Sequence, residues 1–352
     1  MLPRAALLAA ALSAMLLAGC ASRPLAENVD PKGRSLVLVL DGSASMADND
    51  PGRARVLGAT LAAALAGAHD NVGVIAYNAR AKVLAPLSPA GSAASRELLR
   101  AAIEEVGTTG STDFGAALDA AEAMLEEGHA PRGSSIVFLT DGLPTGHVNR
   151  LREFGRKAKA NLSVPEAVGR IAAKGWRIFA ITFGPEAPQT REYLAQLTGP
   201  TGGSVAEAKD AGGLLDAFQG VSVQAFGYLS ANRLAASDAV TLAPGTRRLA
   251  FLGRFEGAGD LGALAHDGKA ADEAGVVRFP RNAPFAAALV EDPATGRWQI
   301  ESGGATAGLT LLVAFDDEQS GLFGHARQAP PDSSSTAPRA GRFKQVFLIH
   351  PN

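Results

Sequence analysis

Residues 35–45 read Ser35-Leu36-Val37-Leu38-Val39-Leu40-Asp41-Gly42-Ser43-Ala44-Ser45. From Leu36 to Leu40 the run is apolar without alternation. A strand with one wet face would alternate, so this pattern predicts a strand buried on both faces of a parallel sheet. The run stops at a carboxylate, a glycine and two hydroxyls. The pattern recurs at Ser135-Ile136-Val137-Phe138-Leu139-Thr140, which stops at Asp141-Gly142. Around these strands the spacing of apolar residues predicts helices over 53–66, 95–106, 114–127, 164–174, 190–197 and 214–223. The helix over 95–106 opens on a serine cap. Further strands are expected over 72–77, 81–84 and 176–183. Alternating strands and helices of this kind predict a doubly wound, mainly parallel sheet flanked by helices over residues 35–225. Ligands of such sheets bind beyond the carboxyl ends of the strands, where Asp41 and Asp141 stand.

Asp41, Ser43 and Ser45 lie at i, i+2 and i+4 in a glycine-containing loop, so their oxygens can converge on one point. A hard divalent cation takes such an oxygen shell. A second hydroxyl-rich loop, Gly107-Thr108-Thr109-Gly110-Ser111-Thr112-Asp113, precedes a helix, and Thr140-Asp141-Gly142 makes a third. Each loop also has a plainer explanation. Ser45 would cap a turn, Thr112 would cap the helix that starts at Phe114, and Asp141-Gly142 would be only a turn.

Taken together, these residues resemble the von Willebrand factor type A family. Its metal-ion-dependent adhesion site has the form Asp-x-Ser-x-Ser, then a Thr, then an Asp. Asp41, Ser43, Ser45, Thr112 and Asp141 occupy those positions, and the runs 112–118 and 139–142 have the family's flavour. The resemblance implies that Ser43, Ser45 and Thr112 hold Mg²⁺, with Mn²⁺ or Ca²⁺ as alternatives, through hydroxyl oxygens. Asp41 and Asp141 would act directly or through water, and an open coordination position would accept a Glu or Asp from a protein partner. Asp113 and Asp119 lie outside that pattern and are expected at a helix N-terminus, facing solvent.

Catalytic readings find less support in the residues. An apolar strand ending in Asp also opens the haloacid-dehalogenase-type phosphatases, but those carry a second Asp two residues later, where this chain has Ser43. No Gly-x-x-x-x-Gly-Lys-Ser/Thr loop and no Gly-x-Ser-x-Gly elbow occurs, and the six histidines are scattered. The expectation is a binding module rather than an enzyme. A scaffold whose metal only stiffens loops stays open, as does a metal-dependent phosphohydrolase.

Composition bounds the rest. The chain has 352 residues, 47% hydrophobic and 19% charged, which excludes a disordered protein. Its net charge of -2 gives no bulk electrostatic basis for capture of nucleic acid, which is not the expected job. The single cysteine, Cys20, excludes an internal disulfide. Met1–Gly19, with Arg4 before an apolar run over 5–17, reads as a secretory signal too short to span a bilayer. Leu17-Ala18-Gly19-Cys20 resembles the bacterial lipobox, which implies cleavage before Cys20, a lipid on its thiol and, since Ala21 is not Asp, sorting to the outer membrane. Residues 20–34 are expected as an extended tether.

Between 143 and 163, Arg150, Arg152, Arg156, Lys157 and Lys159 stand against one acid, Glu153. This basic stretch is either a rim that steers an acidic ligand or plain solvated surface. After Phe226, β-prone runs at 240–243, 248–253, 276–279, 286–291, 298–301 and 309–315 predict a β-sandwich over 226–352. Trp298 is expected in its core and Asp316-Asp317-Glu318 as an acidic turn. Residues 328–340 read as a flexible link before a last strand over 343–349.

Overall fold

A computed structural model describes residues 24–144, 163–185, 187–234, 239–242, 244–272, 276–280, 283–303, 306–315 and 349–350. The signal segment, Cys20, the interior of the basic stretch, Asp316–Glu318 and the link over 328–340 lie outside the described residues. Among those described, no helix is long and apolar enough to cross a membrane.

The first part is a six-stranded sheet. Its strands are β1 (Ser35–Asp41), β2 (Asn71–Tyr77), β3 (Ala81–Pro89), β4 (Ser135–Thr140), β5 (Arg177–Phe183) and β6 (Val205–Ala208), in the order β3-β2-β1-β4-β5-β6. All pairs are parallel except β2 with β3. The expected α/β sheet is therefore observed, with an antiparallel edge. The unbroken apolar runs are explained by burial on both faces. Leu36, Leu38 and Leu40 pack on α2 (Ala54–Ala64), α3 (Ala93–Glu104) and α7 (Ala211–Phe226), while Val37 and Val39 pack on α4 (Phe114–Glu127), α5 (Ser163–Ala173) and α6 (Ala187–Thr198).

Some boundaries move. The helix expected from Ser95 starts at Ala93, because Ser92, not Ser95, is the cap and accepts from the Ser95 amide at 3.0 Å. β6 and the one-turn helix α1 (Met46–Asn49) are too short to leave a periodic signal. The stretch expected as tether is docked from Leu25 onward. Ala26 bridges Leu87 in parallel, the Leu25 and Ala26 amides donate to Glu127 Oε1, and Leu25, Ala26 and Val29 pack on the α4 side of the sheet.

The second part comprises β7 (Leu229–Leu234), β8 (Ala239–Leu242), β9 (Thr246–His266), β10 (Lys269–Ala270), β11 (Val276–Phe279), β12 (Ala283–Glu291), β13 (Gly296–Gly303), β14 (Thr306–Phe315) and β15 (Ile349–His350). Two antiparallel sheets share β9. Its first half pairs with β12 and β14, its second half with β13 and β10. The strand bends over Phe255, where a Cβ on Gly259 would lie 2.3 Å from the ring; glycine leaves room for the ring at this corner. Trp298 is buried in the shared core, its indole N–H donating to the Ala294 carbonyl. The expected last strand is described only at Ile349–His350, which pairs with β8.

The sheet containing β12 and β14 is covered on both faces. Ala286, Ala288, Leu309 and Leu311 face the other β-sheet; Phe285, Ala287, Leu289 and Leu312 join the cluster of α2, α3 and α7. One continuous apolar core thus runs from the α/β sheet through its helices into the β-sandwich.

Candidate metal centre

β1 and β4 are neighbours, so Asp41 at the end of one and Asp141 just beyond the other lie side by side. Asp41 is fully buried. Its Oδ1 accepts the Ser43 amide at 2.8 Å, and its Oδ2 lies 2.8 Å from Thr140 Oγ1 and 3.2 Å from Tyr77 OH. Ser43 Oγ and Ser45 Oγ are 3.1 Å apart, Ser45 Oγ donates to Asp141 Oδ1 at 2.9 Å, and Asn49 Nδ2 donates to Asp141 Oδ2 at 2.9 Å. Four of the five expected oxygen-bearing residues thus meet in one hydrogen-bonded group.

The fifth, Thr112, is buried at the end of a loop stitched to the first. Thr109 N–H donates to the Gly42 carbonyl at 2.7 Å, and Ala44 N–H to that of Gly110 at 3.0 Å. The approach at Gly42 is close, since a Cβ there would stand 3.1 Å from the Gly107 carbonyl oxygen.

The plainer explanations of these residues do not describe the geometry. Ser45 sits at the N-cap of α1 without a side-chain capping bond. The cap of α4 is Asp113, which accepts from Ala116 N–H at 3.1 Å; it is buried rather than solvent-facing, as capping requires the carboxylate to fold back over the helix end. Asp119 is half-exposed and paired with Arg170.

Burial, together with the facing charge of Asp141, holds the Asp41 carboxyl above the ordinary carboxylate range, although hydrogen bonds from Ser43 and Thr140 pull the other way. Among the described residues neither Asp41 nor Asp141 is paired with a Lys, Arg or His side chain. Two enclosed carboxylates facing hydroxyls, with no cationic side chain paired to them among the described residues, fit a hard divalent ion, which prefers all-oxygen ligands and supplies positive charge. No group of three or more His, Cys, Asp or Glu suited to a metal occurs among the described residues, so any ion here would rely on hydroxyls.

Asn49, Tyr77 and Thr140 were not singled out by the sequence. Tyr77 belongs to an aromatic floor under the site, its ring 5.0 Å from Phe138 and 6.1 Å from Phe114. Around the opening, Ala44, Ser45 and residues 107–110 are exposed, as is Leu143 at 38%.

Residues 36–143 match the family model described as the von Willebrand factor type A domain. The calcium-activated chloride channel regulator 1 of Sus scrofa is 27% identical over 171 residues, covering 49% of this chain; the chain spans 16% of that relative's length. Similar solved structures include a von Willebrand factor type A protein of Catenulispora acidiphila, with 18% identity, 82% of this chain and 68% of that one covered, and a TM-score of 0.46. The von Willebrand factor domain of the type V pilus tip protein of Porphyromonas gingivalis has 12% identity, 56% and 95% coverage and a TM-score of 0.40. A mussel byssus protein, proximal thread matrix protein 1, solved with a zinc-occupied adhesion-site motif, has 19% identity, 55% and 46% coverage and a TM-score of 0.41.

Proposed function

We propose that this protein is a non-enzymatic, metal-dependent binding module. In it Asp41, Ser43, Ser45, Thr112 and Asp141 hold Mg²⁺, and the ion's open position takes an Asp or Glu side chain of a protein partner in the cell envelope. The observation that carries this reading is the chain from Ser43 through Ser45 to Asp141 beside the buried Asp41, with neither carboxylate paired to a Lys, Arg or His side chain among the described residues. With few direct carboxylates, a bound ion keeps residual positive charge for an acidic ligand. Exposed Leu143 beside Asp141 offers an apolar contact next to that charge. Residues 1–19 are proposed as the leader and Cys20 as the lipid-bearing residue that holds the protein at the outer membrane. Residues 35–225 are proposed as the binding part, with 226–352 as its sandwich.

A metal that only stiffens loops is less well supported, because backbone hydrogen bonds between residues 42–44 and 109–110 already join the first two loops.

Titration calorimetry of Mg²⁺ against the wild-type chain and Asp41→Ala tests the site: binding is expected in the first and lost in the second. Capture of envelope proteins with and without EDTA tests the partner. Capture that survives both EDTA and Asp41→Ala would overturn acidic-ligand binding through the ion. Turnover of phosphoesters abolished by Asp41→Asn would replace the binding reading with an enzymatic one. Metabolic labelling with palmitate, lost in Cys20→Ser, tests the anchor.

A further inference from the structure

Asp50 and Arg55 contribute nothing to the oxygen group, yet they form a deeply enclosed ion pair directly behind it. Arg55 is 0% exposed and Asp50 3%. Arg55 Nη1 donates to Asp50 Oδ2 at 2.7 Å, and Nη2 donates to the Gly107 carbonyl at 3.4 Å. The Asp50 carboxylate also accepts the Ala54 amide at 2.6 Å and the Arg55 amide at 3.2 Å, capping the first turn of α2. Taking two charges out of water is costly, and apolar side chains of similar volume often serve stability as well or better. Packing alone therefore does not account for this pair.

Its connections do. Asp50 ends α1, its amide bonded to the Met46 carbonyl. α1 begins directly after Ser45 and carries Asn49, which holds Asp141. Gly107 opens the loop that leads to Thr112 and lies against Gly42. One guanidinium thus spans from the element that follows the serines to the loop that supplies the threonine. A planar fork with donors pointing in different directions can do this; a lysine ammonium is a compact point donor on a flexible stem.

We propose that Asp50 and Arg55 are positioning residues of the metal centre, setting the spacing between the Ser43–Ser45 loop and the Thr112 loop. The inference rests on the metal-binding reading above.

The test compares Arg55→Lys, which keeps a cation beside Asp50 but gives up the Gly107 link, with wild type and Asp41→Ala. The readouts are Mg²⁺ affinity by calorimetry, amide exchange over 107–113, and the thermal midpoint in chelator. The expected result is a loss of about 10–100-fold in Mg²⁺ affinity, the usual range for groups that orient ligands. Faster exchange at Thr109 should accompany it, with β1 and β4 still protected. Should Arg55→Lys fold poorly, the double variant Asp50→Asn with Arg55→Met keeps a helix cap, removes both charges and is expected to show the same loss. Wild-type Mg²⁺ affinity in either folded variant, while Asp41→Ala abolishes binding, overturns the positioning role and leaves the metal centre standing. Absence of Mg²⁺ binding in the wild type itself, matched by Asp41→Ala, overturns both.

Discussion

Asp41 is enclosed to an extent that a carboxylate tolerates only with dedicated donors, and three of its neighbours supply them: Ser43, Thr140 and Tyr77. Those donors hold the oxygens in place without cancelling the charge. In the proposed reading a divalent cation completes the group, and Mg²⁺ at 100 times its dissociation constant is then expected to stabilise the wild type by about 2.7 kcal/mol and to leave Asp41→Ala unchanged, read as thermal midpoints. Ser43→Ala and Thr112→Ala are expected to weaken Mg²⁺ binding while the circular dichroism of the fold stays intact, because both lie in loops outside the apolar clusters. Loss of cooperative unfolding in these variants would count against their role as ligands. Asn49→Ala removes a hydrogen bond to a carboxylate, which is expected to cost about 1.5–3 kcal/mol of stability in chelator, measured by urea denaturation.

The docked segment from Leu25 to Arg34 carries a titratable contact that ties its stability to pH. Its Asp30 accepts from the Lys32 amide and lies 2.7 Å from His69 Nδ1, while Asn71 bonds the Asp30 backbone on both sides. The His69 hydrogen bond, more than the Lys32 amide, holds the Asp30 carboxyl below the ordinary carboxylate range. A carboxyl lowered in the folded state stabilises it above the ordinary value and loses that contribution as pH falls through the lowered one. Wild type is therefore expected to exceed Asp30→Asn in stability at neutral pH. The difference should vanish in strong acid, and a constant gap across the titration would refute the assignment. A helix contact is open to a similar test. A Cβ on Gly58 of α2 would stand 2.1 Å from the Phe218 ring of α7, so Gly58→Leu should destabilise the fold by about 1–3 kcal/mol through overpacking.

The α/β part and the β-sandwich are joined by more than the linker at Gly227. Arg248, on β9, donates to Asp70 at 2.9 Å and to Glu291 at 2.8 Å, with side-chain exposures of 3% for both Arg248 and Asp70. Next to it, the buried Tyr228 phenol donates to the Leu65 carbonyl, and burial pushes its pKa up to about 12. Arg248→Ala would leave Asp70 enclosed without its partner, an expected loss of about 3–5 kcal/mol. With one apolar cluster running through both parts, calorimetry of the intact chain should show a single unfolding transition. Residues 24–227 alone would expose the faces of α2, α3 and α7 that now meet β12 and β14, so that fragment is expected to aggregate.

Much of this was legible in one dimension, because the deciding signals are local. Unbroken apolar runs such as Leu36–Leu40 specify strands with no wet face, and a carboxylate at the end of such a run marks the ligand-bearing end of a sheet. The unbroken runs at 286–290 and 311–314 carried the same information for the sandwich, whose inner sheet is also covered on both faces. Other features depend on chain segments far apart. Asn49 reaches Asp141 across 92 residues and Arg55 reaches Gly107 across 52, and no periodicity encodes such pairings. Local residue chemistry and hydrophobic period were enough to specify the long strands and helices of the α/β part and to point to the oxygen-bearing loops, but not α1, β6, β7, β10 or the second half of β9. Which polar side chains hold those loops, and how the two parts share a core, follow from packing, since burial and hydrogen-bond partnership exist only once distant segments come together.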